Sequence, residues 1–135
     1  MGCAGFGEQA RSGPDGDDAQ EQEAMETAQD LYEALVTVFE EETPGVDEER
    51  PQALAVVSHY EGVGSGERRR FVGQVVPLRG GIGVQIRAEY QSEALDDEGN
   101  ATWEDQPREA VRPQAVELES RLVRAVERQY HRQSG

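Results

Sequence analysis

The spacing of apolar residues changes twice along this chain, and these changes constrain its fold more than any other feature. Between Glu23 and Glu42 apolar residues recur three and four positions apart, as on one face of an α-helix. This spacing predicts an amphipathic helix over 23–42, and Pro44-Gly45 is expected to end it. The stripe consists of Ala24, Ala28, Leu31, Leu35 and Val38, widened by Met25, Tyr32 and Phe39.

From residue 53 to residue 91 the apolar period becomes two, which is typical of β-strands with one buried face. The first predicted strand alternates through Leu54, Val56, Ser58 and Tyr60, and a glycine-rich hairpin loop over 62–66 follows it. The return strand is predicted over 70–76, and Pro77 begins the next reversal. The clearest strand has its apolar face at Ile82, Val84, Ile86, Ala88 and Tyr90.

The helical period returns in the last part of the chain, where the apolar stripe consists of Ala115, Leu118, Leu122, Ala125 and Val126. A turn over 97–100 is expected to close a hairpin onto a short strand over 101–103, and Pro113 suits the first turn of a helix that continues to Arg132. Two helices on either side of an antiparallel meander would bury their stripes on one face of the sheet. The sequence thus predicts an α+β, two-layer sandwich with an N-terminal helix, three to four strands and a C-terminal helix.

The first 22 residues contain five glycines and no apolar periodicity that would offset the entropy of ordering. We expect a disordered acidic tether over 1–22, followed by a single domain over 23–135. The only cysteine, Cys3, lies in this tether directly after Gly2. A small residue, a cysteine and a flexible polar segment together resemble the mature start of bacterial lipoproteins. The resemblance implies that Cys3 carries the lipid and holds the domain at the cell envelope, facing the periplasm or the exterior.

The charge is strongly negative and unevenly distributed. The formal net charge is −15, and all 13 basic residues are arginine. By segment it is −13 over residues 1–50, −4 over 51–107 and +2 over 108–135. Nucleic-acid binding needs a concentrated basic face, so no nucleic-acid partner is expected. Because no apolar run is long enough to cross a bilayer, membrane contact is expected through the lipid anchor only.

A row of arginines recurs three and four residues apart along the predicted last helix: Arg121, Arg124, Arg128 and Arg132. The row is a candidate face for an anionic partner, because guanidinium groups bind carboxylates and phosphates through paired hydrogen bonds. The alternative is a solvated face partly neutralised within the fold by Glu117, by Glu127 beside Arg124, and by the acidic end of the first helix, Glu40 to Glu42. The sequence favours this alternative, since most charge rows are plain surface.

A second arginine cluster, Arg68 to Arg70, is interpreted as charge that protects an edge or hairpin strand from unwanted pairing. Trp103 is interpreted as an aromatic residue that covers the end of the sheet. Neither feature is expected to form a site by itself.

No catalytic or metal site is predicted. His59 and Glu61 would share a strand face, but no serine or cysteine nucleophile stands beside them. The acidic turn around Asp97 and Gly99 does not fit an EF-hand, because Ala94 stands where the first aspartate ligand belongs. Two distant histidines and one cysteine make no zinc signature. We therefore expect a protein that is not an enzyme and uses no cofactor.

The sequence leads to two hypotheses about function. The first is a lipid-anchored binding or assembly protein of the bacterial cell envelope, whose partner is an envelope protein or an anionic ligand. The second is a soluble, acidic cytoplasmic adaptor or chaperone-like dimer. Small size, acidity and a helix followed by a meander are similar to secretion chaperones, although this chain lacks their second strand–helix unit.

Overall fold

The computed structural model describes residues 14–107 and 113–134. An N-terminal helix, α1 (Pro14–Glu42), precedes an antiparallel sheet, and a C-terminal helix, α2 (Pro113–Ser134), follows it. The predicted α+β fold class is therefore confirmed. The strands are β1 (Val46–Arg50), β2 (Ala55–Ser58), β3 (Glu61–Gly64), β4 (Glu67–Leu78), β5 (Gly81–Leu95) and β6 (Ala101–Asp105).

The sheet is an antiparallel meander with more strands than predicted. Its strand order is β1-β2-β4-β5-β6, and β3 also pairs with β4. β2 pairs with residues 72–74 of β4, whereas β3 pairs with residues 67–69, so both lie on the same side of β4. The predicted glycine-rich loop over 62–66 is thus mostly strand, with the turn at Ser65 and Gly66.

The sequence analysis also places no strand at β1, between the first helix and the first predicted strand. Its sequence, Val-Asp-Glu-Glu-Arg, shows no apolar alternation, and all of its residues after Val46 are exposed. Backbone pairing with β2 forms this strand, and its charged side chains suit the edge of a sheet. A short 3₁₀ helix over Pro51–Ala53 then leads into β2, so Leu54 precedes the strand in which it was predicted.

Helix α1 begins at Pro14, so the predicted start at Glu23 is wrong and residues 14–22, predicted as tether, are helical. Proline followed by acidic residue types is favoured in a first helical turn, which explains why weak apolar periodicity did not prevent a helix here. The rest of the predicted tether, 1–13, lies outside the described residues. Ala24 and Met25 do not join the core, since both are exposed.

The core lies between the two helices and one face of the sheet. From α1 it contains the fully buried Leu35 and Phe39, and from α2 it contains Val126. Ile86 of β5 belongs to the same cluster with 5% exposure, which confirms its predicted orientation toward the helices. Gly73 of β4 allows close packing, because a Cβ added there would lie 2.8 Å from Leu35 Cδ1.

Candidate functional site

A charged cleft opens where the end of α1, the middle of α2 and the β3–β4 hairpin meet, with a cavity volume of about 300 Å³. We call it the arginine cleft. Its charged lining consists of Glu42, Glu61, Arg69, Arg121, Arg124 and Arg128. Its apolar lining consists of Phe71, Leu118, Leu122 and Ala125.

Helix α2 supplies three of the four guanidinium groups of the cleft. Arg121, Arg124 and Arg128 are three and four positions apart, so they lie on the same side of the helix. Arg132, the fourth member of the predicted row, is not part of the lining, and its Nη2 donates a hydrogen bond to Gln129 Oε1 at 2.6 Å. The structure therefore brings together three of the four residues predicted as an anionic-partner face.

The fourth guanidinium of the cleft belongs to Arg69 on β4, which sequence reasoning did not connect with α2. Its Nη2 lies 2.7 Å from Glu61 Oε1, and only 17% of its side chain is exposed. Burial lowers the pKa of Arg69, but hydrogen bonds to Glu61 and Tyr90 outweigh this effect and leave the pKa above its ordinary value. The Nε of Arg69 is buried and has no hydrogen-bond partner among the described residues. Arg69 is thus a fixed cation with one donor unused.

The arginines of the cleft that lie on α2 differ from Arg69 in their surroundings. Within residues 14–107 and 113–134, no carboxylate lies within 4 Å of the guanidinium of Arg121, Arg124 or Arg128. The helical ion pair between Glu117 and Arg121 that the sequence suggests is not formed. Glu42 lines the same cleft, so the acidic end of α1 does lie beside the arginine row, but without a direct ion pair.

A second set of arginine contacts lies on the face of the sheet opposite the helices. The guanidinium carbon of Arg68 lies 4.1 Å from the ring centroid of Tyr60 and 4.2 Å from that of Trp103. Arg68 also donates two hydrogen bonds to Gln91 Oε1, from Nε and Nη2. Arg70 stacks on Tyr60 at 4.8 Å. Arg68 therefore finds its hydrogen-bond acceptor and its ring contacts within the fold.

This arrangement corrects two interpretations of the sequence. The three arginines Arg68 to Arg70 do not protect an edge, because β4 has β2 and β3 on one side and β5 on the other. Trp103 stacks on Arg68, so it is part of a cross-strand ladder and not a cover for the end of the sheet. The alternation rule places Arg68 and Arg70 on one face, but the register between β5 and β6 decides which aromatic ring meets them.

The histidine that was weighed as a catalytic candidate does not approach Glu61. His59 Nδ1 lies 3.4 Å from Asp47 Oδ1, with both side chains about half exposed. Glu61 is instead paired with Arg69. These contacts do not assemble a nucleophile, a base and an orienting group.

The acidic turn after β5 is held by its own backbone. Asp96 Oδ1 accepts hydrogen bonds from the backbone N–H of Glu98 at 2.9 Å and of Asn100 at 2.8 Å. The Asn100 bond is the largest of the contributions that lower the pKa of Asp96. In the part of the chain that the structure describes, no group of three or more His, Cys, Asp or Glu side chains is placed to hold a metal ion.

Comparison with protein-family models, with curated proteins and with solved structures found no significant match to this chain. No described helix is long and apolar enough to cross a membrane. Cys3, the predicted lipidation site, lies outside the described residues.

Proposed function

We propose that this chain is a non-enzymatic binding protein that holds an anionic group of its partner in the arginine cleft. The observation that carries this proposal is that three guanidinium groups on α2 line one cavity, and none of them has a carboxylate within 4 Å among the described residues. Like charges placed together repel one another, and a bound anion would relieve that repulsion. The chain has a net charge of −15, whereas the lining of the cleft, with four arginines and two glutamates, is locally positive.

The nature of the cations also supports binding. A guanidinium presents several N–H donors in a planar fork that fits both oxygens of a carboxylate or phosphate. Arg69 is held in place by Glu61, whereas the three arginines on α2 are exposed and are not held by an ion pair with a described carboxylate. The cleft thus combines one fixed donor group with three that can close on an anion.

We further propose that the domain is held at the bacterial envelope by lipid on Cys3. Ten residues separate Cys3 from the start of α1, and ten extended residues span at most about 35 Å. Two acyl chains would give firm attachment, whereas the acidic surface alone would be repelled by anionic lipid. The cleft lies at the end of α1 that is remote from this attachment.

NMR of the ¹⁵N-labelled full chain would test the cleft. Inorganic phosphate is titrated at constant ionic strength while the arginine Nε–Hε signals are followed. We expect the signals of Arg69, Arg121, Arg124 and Arg128 to shift together and that of Arg132 to stay unchanged. Uniform small shifts of all arginines would instead indicate unspecific screening and would contradict the proposal.

The double variant Arg124→Glu/Arg128→Glu separates binding from internal neutralisation. If the arginines hold an anion, the variant loses the phosphate response but keeps its melting temperature, because exposed charges contribute little to stability. If they neutralise the acidic end of α1, the melting temperature falls, and it falls most at low salt, where repulsion from Glu42 is unscreened. Arg132→Glu, one turn beyond the cleft, is the matched control.

The anchoring proposal is tested by Cys3→Ser, expressed from the gene with its native upstream sequence. We expect the wild-type protein in the membrane fraction and the variant in the soluble fraction. A soluble wild-type protein would contradict lipid anchoring and favour the cytoplasmic adaptor.

A further inference from the structure

We propose that the ligand of the arginine cleft is an organic phosphate monoester, with its phosphate among the arginines of α2 and its organic part on the apolar floor of the cleft. This inference rests on the proposed function, because it names the ligand class of the same site. Charge, volume and the lining of the floor each support it.

The formal charge of the cleft matches a dianion. Four arginines and two glutamates line it, which leaves a net formal charge of +2. Glu61 is taken up by its ion pair with Arg69, so the excess lies with the three arginines on α2. A phosphate monoester carries a charge of about −1.5 to −2 near neutral pH and has three acceptor oxygens. A single carboxylate would leave part of this excess uncompensated.

The floor of the cleft is apolar, which a bare phosphate would not use. Phe71 and Leu122 are buried, with 4% and 7% exposure, and Leu118 and Ala125 are partly buried. The cavity of about 300 Å³ is at the lower end of the range for small-molecule sites, and a bare phosphate would leave most of it unfilled. An organic group of modest size would cover the exposed parts of Leu118 and Ala125.

The overall charge disfavours larger anionic partners. A polyanionic surface, such as a membrane or an acidic protein face, would meet the rest of a chain that carries a net charge of −15. A small ligand would place its charge only among the arginines of the cleft and would not meet the acidic surface outside it. The chemistry of the cleft therefore points to a compact ligand.

Three probes separate the contributions of charge and apolar contact: phenyl phosphate, methyl phosphate and phenyl sulfate. Methyl phosphate keeps the charged group and removes the ring, whereas phenyl sulfate keeps the shape and carries one negative charge fewer. Affinities for the full-length protein are measured by NMR titration at constant ionic strength. We expect phenyl phosphate to bind about tenfold or more tightly than either of the others, given the apolar area that a ring buries and the extra charge.

The variant Leu118→Ala tests the floor directly. It should weaken the binding of phenyl phosphate severalfold and leave that of methyl phosphate unchanged, and the retained methyl phosphate affinity shows that the cleft is still folded. Arg124→Gln should weaken both phosphate probes, whereas the control Arg132→Gln should weaken neither.

The outcomes distinguish this inference from the proposed function. If neither inorganic phosphate nor any of the three probes shifts the cleft signals, the proposed function itself is wrong. If methyl and phenyl phosphate bind equally well, the cleft is an anion site without a role for its floor, and only the present inference fails. Equal affinities for phenyl phosphate and phenyl sulfate would overturn the charge-matching argument.

Discussion

The two faces of the sheet carry opposite kinds of side chain, and β5 contributes to both. On the side of the helices, Ile86 and Ala88 are almost completely buried in the core. On the other side, Arg87 is exposed and Glu89 pairs with Arg70 at 2.9 Å. Burial of apolar surface is the main source of stability on the first face, whereas cross-strand ion pairs and stacked rings hold the second. Alternate residues of one strand therefore have different roles: one set stabilises the core, and the other set forms the charged surface.

Two neighbouring arginines on β4, Arg68 and Arg69, show the same difference between the two faces of the sheet. Arg68 points to the open face, where two rings and Gln91 satisfy it. Arg69 points to the side of the helices and lines the arginine cleft, where its Nε has no partner among the described residues. Arg68 and Arg69 therefore have different roles, because successive side chains of a strand point to opposite faces of the sheet.

The largest expected effect comes from removing a core side chain of β5. Ile86→Ala should lower the free energy of unfolding by about 2–5 kcal/mol, because it deletes buried carbons and leaves a cavity. Gln85→Ala, next to it but exposed, is the matched control and should change little. Denaturant titration measures both, and equal losses would mean that the two faces do not differ as described.

A smaller loss is expected where α1 approaches the sheet most closely. Gly73→Ala would place a Cβ 2.8 Å from Leu35 Cδ1 and 3.0 Å from Phe39 Cζ, and both side chains are fully buried. Relieving this overlap should cost about 1–3 kcal/mol of the free energy of unfolding. Gly62→Ala is the control, since nothing lies within 4 Å of the added carbon there. A Gly73→Ala protein as stable as the wild type would show that the helix–sheet spacing is loose.

The smallest effect is expected on the open face. Arg68→Ala removes a cation stacked between Tyr60 and Trp103 and should lower the free energy of unfolding by about 1 kcal/mol. Arg87→Ala, on the same face of the sheet but on β5, should have almost no effect. Trp103 also reports the change directly, because its fluorescence should shift when the guanidinium leaves its ring. A loss as large as that of Ile86→Ala would break the distinction between the two faces.

The sequence determined those elements whose evidence is local. The apolar stripes around Leu35 and Val126 predicted both helices, and strict alternation around Ile86 predicted β5 and its buried face. A helical or alternating pattern can be recognised from residues close together in the sequence, because backbone geometry determines which side chains share a face. The α+β architecture followed, because two apolar helices and a half-apolar sheet have few other ways to bury their surfaces.

Tertiary structure decided the features that depend on distant residues. β1 forms because its backbone pairs with that of β2. Its side chains show no apolar alternation that would predict a strand. The arginine cleft joins Arg69 of β4 and Arg124 of α2 to the end of α1, three segments that no sequence period relates. Whether an arginine is neutralised or left unpaired depends on distances of a few ångströms between such segments. The sequence therefore identified the arginine row of α2 as a candidate, and only the packing of three segments made it the wall of a cleft.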